Sequence, residues 1–229
     1  MQFPSPDPLW IIEIFKVTVL FALSTLLFWK WGRAERRFYT DFPFLIALAI
    51  LFIAFGECME IIVHSGLAVF TLELFKLRAS ITGISMLMIL FIIIRIWLAE
   101  NMRIGWVLMA IFAITFFTAI ALAPTMELAQ LFAIAFLPII MIVFVITFLW
   151  AWRLRRLPDV HSLVLVLGVI ILMTAQVIKA VLQVIGLAYL VWITELVDLL
   201  GYTILATSFL IKPGWAKRSQ IASTSPTPS

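Results

Sequence analysis

The chain has 229 residues, 65% of them hydrophobic and only 12% charged, and its mean hydropathy is +1.19. Soluble domains use about 45–50% apolar and about 25% charged residues, so this composition excludes a soluble globular protein and requires a bilayer as solvent. The formal net charge of +4 does not indicate nucleic-acid binding, because the basic residues are distributed by membrane side, and the single cysteine, Cys58, excludes an internal disulfide and a cysteine-based zinc motif.

Residues 1–8 are polar and proline-rich and lack the basic start of a cleavable signal peptide, so the first apolar run is expected to stay in the mature protein. Seven spans are predicted: Leu9–Trp29, Phe42–His64, Leu77–Leu98, Ile104–Ala123, Ala129–Trp152, His161–Ile185 and Ala188–Ile211. Residues 212–229 are basic, then rich in Ser, Thr and Pro, and read as a disordered tail. The domain organisation is therefore one all-α transmembrane domain over 9–211, with short flanking segments 1–8 and 212–229.

Charge sets the orientation. Lys30, Arg33, Arg36, Arg37, Arg95, Arg103, Arg153, Arg155, Arg156, Lys212, Lys217 and Arg218 all fall on one side if there are seven spans, and only Lys76 and Arg78 fall on the other. The positive-inside rule then puts the N-terminus outside and the C-terminus in the cytoplasm, most simply at the cell membrane. Trp29, Trp31, Trp97, Trp106, Trp150, Trp152 and Trp215 cluster at the cytoplasmic ends, with Trp10 and Trp192 toward the outer ends, as an interfacial belt requires.

Short stretches recur. Phe28-Trp29-Lys30-Trp31 is echoed by Leu149-Trp150-Ala151-Trp152, and Gly66-Leu67-Ala68 by Gly186-Leu187-Ala188. With the spans in step, spans one to three correspond to spans five to seven, and span four is a linker. An odd number of spans, one, separates the copies, so the repeat is parallel. This 3+1+3 pattern resembles the topology of the superfamily that holds microbial rhodopsins, SWEET sugar transporters and PQ-loop proteins, over nearly the whole chain. It also resembles the seven-span sensor modules of archaeal and bacterial signalling proteins, although no soluble output domain is present. The resemblance is one of topology and implies a seven-helix bundle. The specific motifs differ: the seventh span has no lysine to hold retinal, and no Pro-Gln dipeptide occurs.

The candidate site is a set of charges inside the spans: Glu13 and Lys16 in the first, Glu57 and Glu60 in the second, Lys179 in the sixth, Glu195 and Asp198 in the seventh. A charge at the centre of a span costs roughly 2.5–3.5 kcal/mol on insertion scales, so such residues mark function or tight pairing. At about 1.5 Å per residue, all lie between the outer surface and the midplane. Glu57, Glu60 and His64 share one helix face at i, i+3 and i+7, as do Gln176, Lys179 and Gln183, and Glu195, Asp198 and Tyr202. Lys179 is expected to pair with Glu195 or Asp198, and Lys16 with Glu57, Glu60 or Glu13. The plainer and favoured reading of Glu13 and Lys16 has them snorkel to the outer surface. Glu57, Glu60 and His64 are weak candidates for a metal, since the second histidine, His161, lies at the far end of its span.

These residues predict an outward-opening acidic pocket that binds a small molecule, a proton or a cation. Two lysines do not neutralise five acids, so some acids are expected to be protonated, to reach an outer water-filled pocket or to bind a cationic ligand. The outward pocket and the basic cytoplasmic loops favour a sensor or receptor-like module with a cytoplasmic or membrane partner besides the lipid bilayer. The alternative is a small-solute or proton-coupled transporter, against which the cytoplasmic half of the spans is almost free of charge. An intramembrane enzyme ranks last, because no nucleophile–base set or phosphate loop is present, and no cofactor is implied.

Overall fold

A computed structural model describes residues 9–34, 38–185, 187 and 190–215, without the side chains of 180, 183 and 184. Among the described residues there are seven α-helices and no strand: α1 Leu9–Gly32, α2 Phe42–His64, α3 Leu72–Trp97, α4 Met102–Leu122, α5 Met126–Arg153, α6 Ser162–Val184 and α7 Val191–Thr207. The first six are long and apolar enough to cross a membrane. The chain is thus a polytopic helical membrane protein. Helix α7 has 17 residues, about 25 Å at 1.5 Å each, somewhat under a core of about 30 Å.

Local signals set several ends. Thr71 accepts a hydrogen bond from the Leu74 amide and Glu73 sits in the first turn, so α3 starts at Leu72 rather than the predicted Leu77. Thr125 and Glu127 start α5 in the same way. Pro43 in the first turn of α2 gives up no internal hydrogen bond there. Gly66, at φ 76°, supplies the left-handed residue that turns α2 toward α3; its proposed counterpart Gly186 lies outside the described residues, as do residues 1–8 and 216–229.

The helices form a closed ring. Each packs on its neighbours in sequence, α7 returns against α1, and α3 also touches α5 directly, which leaves α4 on the outside. Helix α4 accordingly buries only Gly105, Phe116 and Ile120. Phe116 fits against Gly83 of α3, where a Cβ would sit 2.4 Å from the ring. The closest helix contact is between α6 and α7: a Cβ on Gly168 would lie 2.7 Å from the Leu205 backbone nitrogen and 2.9 Å from the Gly201 carbonyl oxygen. Small residues at such crossings let helices approach in a bilayer, where no water is available to drive association.

Candidate functional site

Five helices deliver charges to one end of the ring. Glu13 and Lys16 lie on the same stripe of α1 as Leu20, Ser24 and Leu27, the stripe that faces the bundle, and are 2% and 1% exposed. Neither snorkels; the expectation fails because that face of the helix points inward. Lys16 is the centre of the site. Its Nζ donates to Glu195 Oε2 at 2.5 Å and stands 3.0 Å from Glu57 Oε2 and 3.6 Å from Asp198 Oδ2. The Glu57 contact is an ion pair without hydrogen-bond geometry.

Around that centre the pairs interlock. Glu195 uses its second oxygen, Oε1, to accept from Lys179 Nζ at 2.5 Å, so one carboxylate bridges two lysines. Asp198 Oδ2 accepts from Gln176 Nε2 at 2.7 Å. Glu60 is not a partner of Lys16: its Oε1 lies 2.5 Å from Arg78 Nη2. Glu13 is not one either: its Oε1 lies 2.6 Å from His64 Nδ1. Of the predicted site residues, Gln183 has its side chain outside the described set. Tyr202 stands one turn beyond Asp198 and is partly buried.

Arg78 belongs to the site and was not among the predicted residues, because the third span was begun one residue before it. The capping pair Thr71 and Glu73 is the signal that could have found it. Arg95 donates from Nη1 to the Thr40 carbonyl in the α1–α2 link. The metal alternative does not assemble: Glu57, Glu60 and His64 turn to Lys16, Arg78 and Glu13, and among the described residues no three His, Cys, Asp or Glu side chains converge as ligands.

Two cavities abut this network. The smaller, about 200 Å³, lies inside the ring between α2, α3, α5, α6 and α7 and reaches Glu57, Arg78, Gln176 and Tyr202 at its polar end. The larger, about 470 Å³, lies between α3, α5 and α6, ends on Glu60, Arg78, Gln176 and Lys179, and shares Arg78, Thr82 and Gln176 with the first. Both are lined mainly by apolar side chains such as Met86, Leu137, Met141 and Leu172. The expected acidic pocket is therefore not what these cavities present. Glu195 and Asp198 face Lys16 and line neither, and the charged lining of the larger cavity is two cations and one carboxylate.

Satisfaction is incomplete. Glu13 Oε2, Glu57 Oε2, Glu60 Oε2 and Asp198 Oδ1 are buried without a hydrogen bond, a state that costs roughly 1–3 kcal/mol per group and more when charged. Such a network accepts a proton or a hydrogen-bond donor, while Arg78 and Lys179 keep donors to spare.

No protein-family model, curated protein or solved structure matches this chain.

Proposed function

We propose that the chain is a seven-span receptor-like module of the cell membrane, with its N-terminus outside and its C-terminus in the cytoplasm, that binds a small ligand in the larger cavity. One observation carries this reading: the polar wall of that cavity is made of the same side chains that hold the helices together. Arg78 ties α3 to α2 through Glu60, Gln176 ties α6 to α7 through Asp198, and Lys179 ties α6 to α7 through Glu195. A ligand that takes hydrogen bonds from Arg78 or Lys179 competes with those pairs. It therefore favours one helix arrangement over another, which is the requirement for a signal. A protein partner would read the shift on the basic side of the membrane, where Lys30, Arg33 and Arg153 lie.

The second reading is a small-solute or proton-coupled transporter of the 3+1+3 superfamily. It is favoured by the neighbour order: exchanging α1, α2 and α3 with α5, α6 and α7 turns the α1–α2, α2–α3 and α3–α5 contacts into α5–α6, α6–α7 and α7–α1. The charges do not follow that pattern, since Lys16 and Glu57 would correspond to Phe136 and Val177.

The test is the thermal stability of the purified protein in detergent, with solutes and pH varied, for wild type, Lys179→Met and Glu57→Gln. A binding module shows a wild-type response to one solute class that Lys179→Met loses. Both variants being less stable, with no response in the wild type, would leave the charges as structural pairs only. Uptake into proteoliposomes that Lys179→Met abolishes would select the transporter. A tail-fused reporter that is active only outside the cytoplasm would refute the orientation.

A further inference from the structure

The larger cavity opens sideways. Its α5 wall carries Gln130, Ile134 and Pro138, four residues apart, and its α6 wall carries Met173 and Val177. Ile134 and Val177 are 66% and 63% exposed, so residues that line the cavity also face away from the bundle. The cause lies in the α5–α6 seam. Toward the basic side it is closed by Phe144, Phe148 and Ala151 of α5 and by Leu165, Val166 and Val169 of α6, all buried. Before Pro138, α5 buries only Ala129, so the two helices leave a gap there. Ile134 is eight residues from the start of α5, about 12 Å along it, within the thickness of a hydrocarbon core of about 30 Å. At that depth the mouth meets acyl chains, not water.

The inner end has the opposite character. Arg78 makes one ion pair, to Glu60, and Lys179 gives one hydrogen bond, to Glu195, yet a guanidinium has five N–H donors and an ammonium three. Gln176, on α6 with Lys179, lines the same cavity. An apolar trough thus ends in spare donors with a net positive lining. Its volume, about 470 Å³, falls in the range of roughly 300–1,000 Å³ found for small-ligand sites.

We propose that the larger cavity takes an acyl-chain amphiphile with an anionic head, carboxylate or phosphate, which enters from the bilayer between α5 and α6. The chain lies along Ile134, Leu137, Met141 and Met173, and the head reaches Arg78 and Lys179. This rests on reading the cavity as the ligand site, and it names the ligand class.

The experiment measures binding to the purified full chain in detergent by native mass spectrometry and by the shift in thermal midpoint. The probes are palmitate and palmitoyl lysophosphatidate, with acetate and inorganic phosphate as headgroups without a chain and hexadecylamine as the reversed charge. Palmitate or lysophosphatidate should bind, and whichever binds tighter identifies the head. Acetate, phosphate and the amine should not. The double variant Glu60→Gln/Arg78→Gln, which removes the pair together, should bind about tenfold more weakly or worse. Ile134→Trp, which fills the mouth and touches no charge, should weaken binding while leaving the midpoint of the free protein unchanged. Tight binding of hexadecylamine, or insensitivity to both variants, overturns the proposal. Arg78-dependent binding of a water-soluble solute in place of the amphiphiles overturns it too, but leaves the receptor reading standing. Absence of binding by every probe and every solute overturns both.

Discussion

Lys16 concentrates more of the site's energy than any other side chain. It is 1% exposed and faces three carboxylates from two helices. Removing one partner of a buried pair costs about 3–5 kcal/mol, chiefly because the charge left behind has no compensation. Lys16→Met should therefore lower stability by about that amount in denaturant unfolding in a mild detergent. Adding Glu57→Gln and Asp198→Asn should recover much of the loss, because these two carboxylates lose their cation with Lys16 whereas Glu195 keeps Lys179. A single variant within about 1 kcal/mol of wild type would show that the cluster does not hold the fold. The spacing of these residues was legible in the sequence, since i, i+3 and i+7 fix a common helix face and the depth follows from the rise per residue. Partner choice was legible only in part: Lys179 pairs with Glu195 and Lys16 with Glu57 as expected, but the pairs that close the ring were not. Lys16 pairs with Glu195 and Asp198, 179 residues or more along the chain, and no local pattern says that α7 closes on α1. Glu60 and Glu13 lie at a depth that suits Lys16, but Arg78 and His64 take them.

Among the helices, hydropathy located the apolar cores well: α2 spans Phe42–His64 as predicted, whereas α3 begins five residues before its predicted start. Length and hydropathy identify the core of a span, but the first turn of a membrane helix is polar and is marked by its cap instead. Helix α7 is shorter than its predicted 188–211 because the chain turns after Thr207, where the Ser208 carbonyl accepts the His161 amide and ties the end of α7 to the start of α6. The glycines that let these two helices touch were also not recognised, since Gly168 and Gly201 lie in different spans and nothing in either one signals the other. They are not equivalent. A methyl group on Gly168 meets the backbone of α7 at 2.7 Å, which cannot move without moving the helix, whereas one on Gly201 meets the Leu172 side chain at 2.7 Å, which has other rotamers, and backbone only at a looser 3.2 Å, the Gly168 carbonyl oxygen. Gly168→Ala should therefore cost about 1–3 kcal/mol, the usual penalty for overpacking, and Gly201→Ala less. Equal melting temperatures for the two variants would refute the asymmetry.

At the scale of the whole molecule, the ring can be divided into α1–α4 and α5–α7, and two principal seams join the parts. One is α7 on α1, where the ion pairs found between the halves both use Lys16, to Glu195 and to Asp198. The other is α3 on α5, where the Trp97 indole donates to Thr147 Oγ1 at 2.8 Å and stacks on Trp150 at 4.5 Å between ring centroids. The magnitudes rank them. An aromatic pair adds about 0.5–1.5 kcal/mol, and a hydrogen bond between membrane helices averages about 0.6 kcal/mol. The buried pairs of Lys16 stand at about 3–5 kcal/mol once broken. A chain cut between Pro124 and Thr125, in the link between α4 and α5, should therefore still assemble when its halves are expressed together, because each half inserts its own helices and the seams then bring them together. Lys16→Met in the first half should reduce recovery of the second half on an affinity column by severalfold, and Trp97→Ala should reduce it by less. The two together should abolish it. The reverse order, with Trp97→Ala severe and Lys16→Met mild, would mean that the stacked indoles close the ring and that the charges are free to serve a ligand alone.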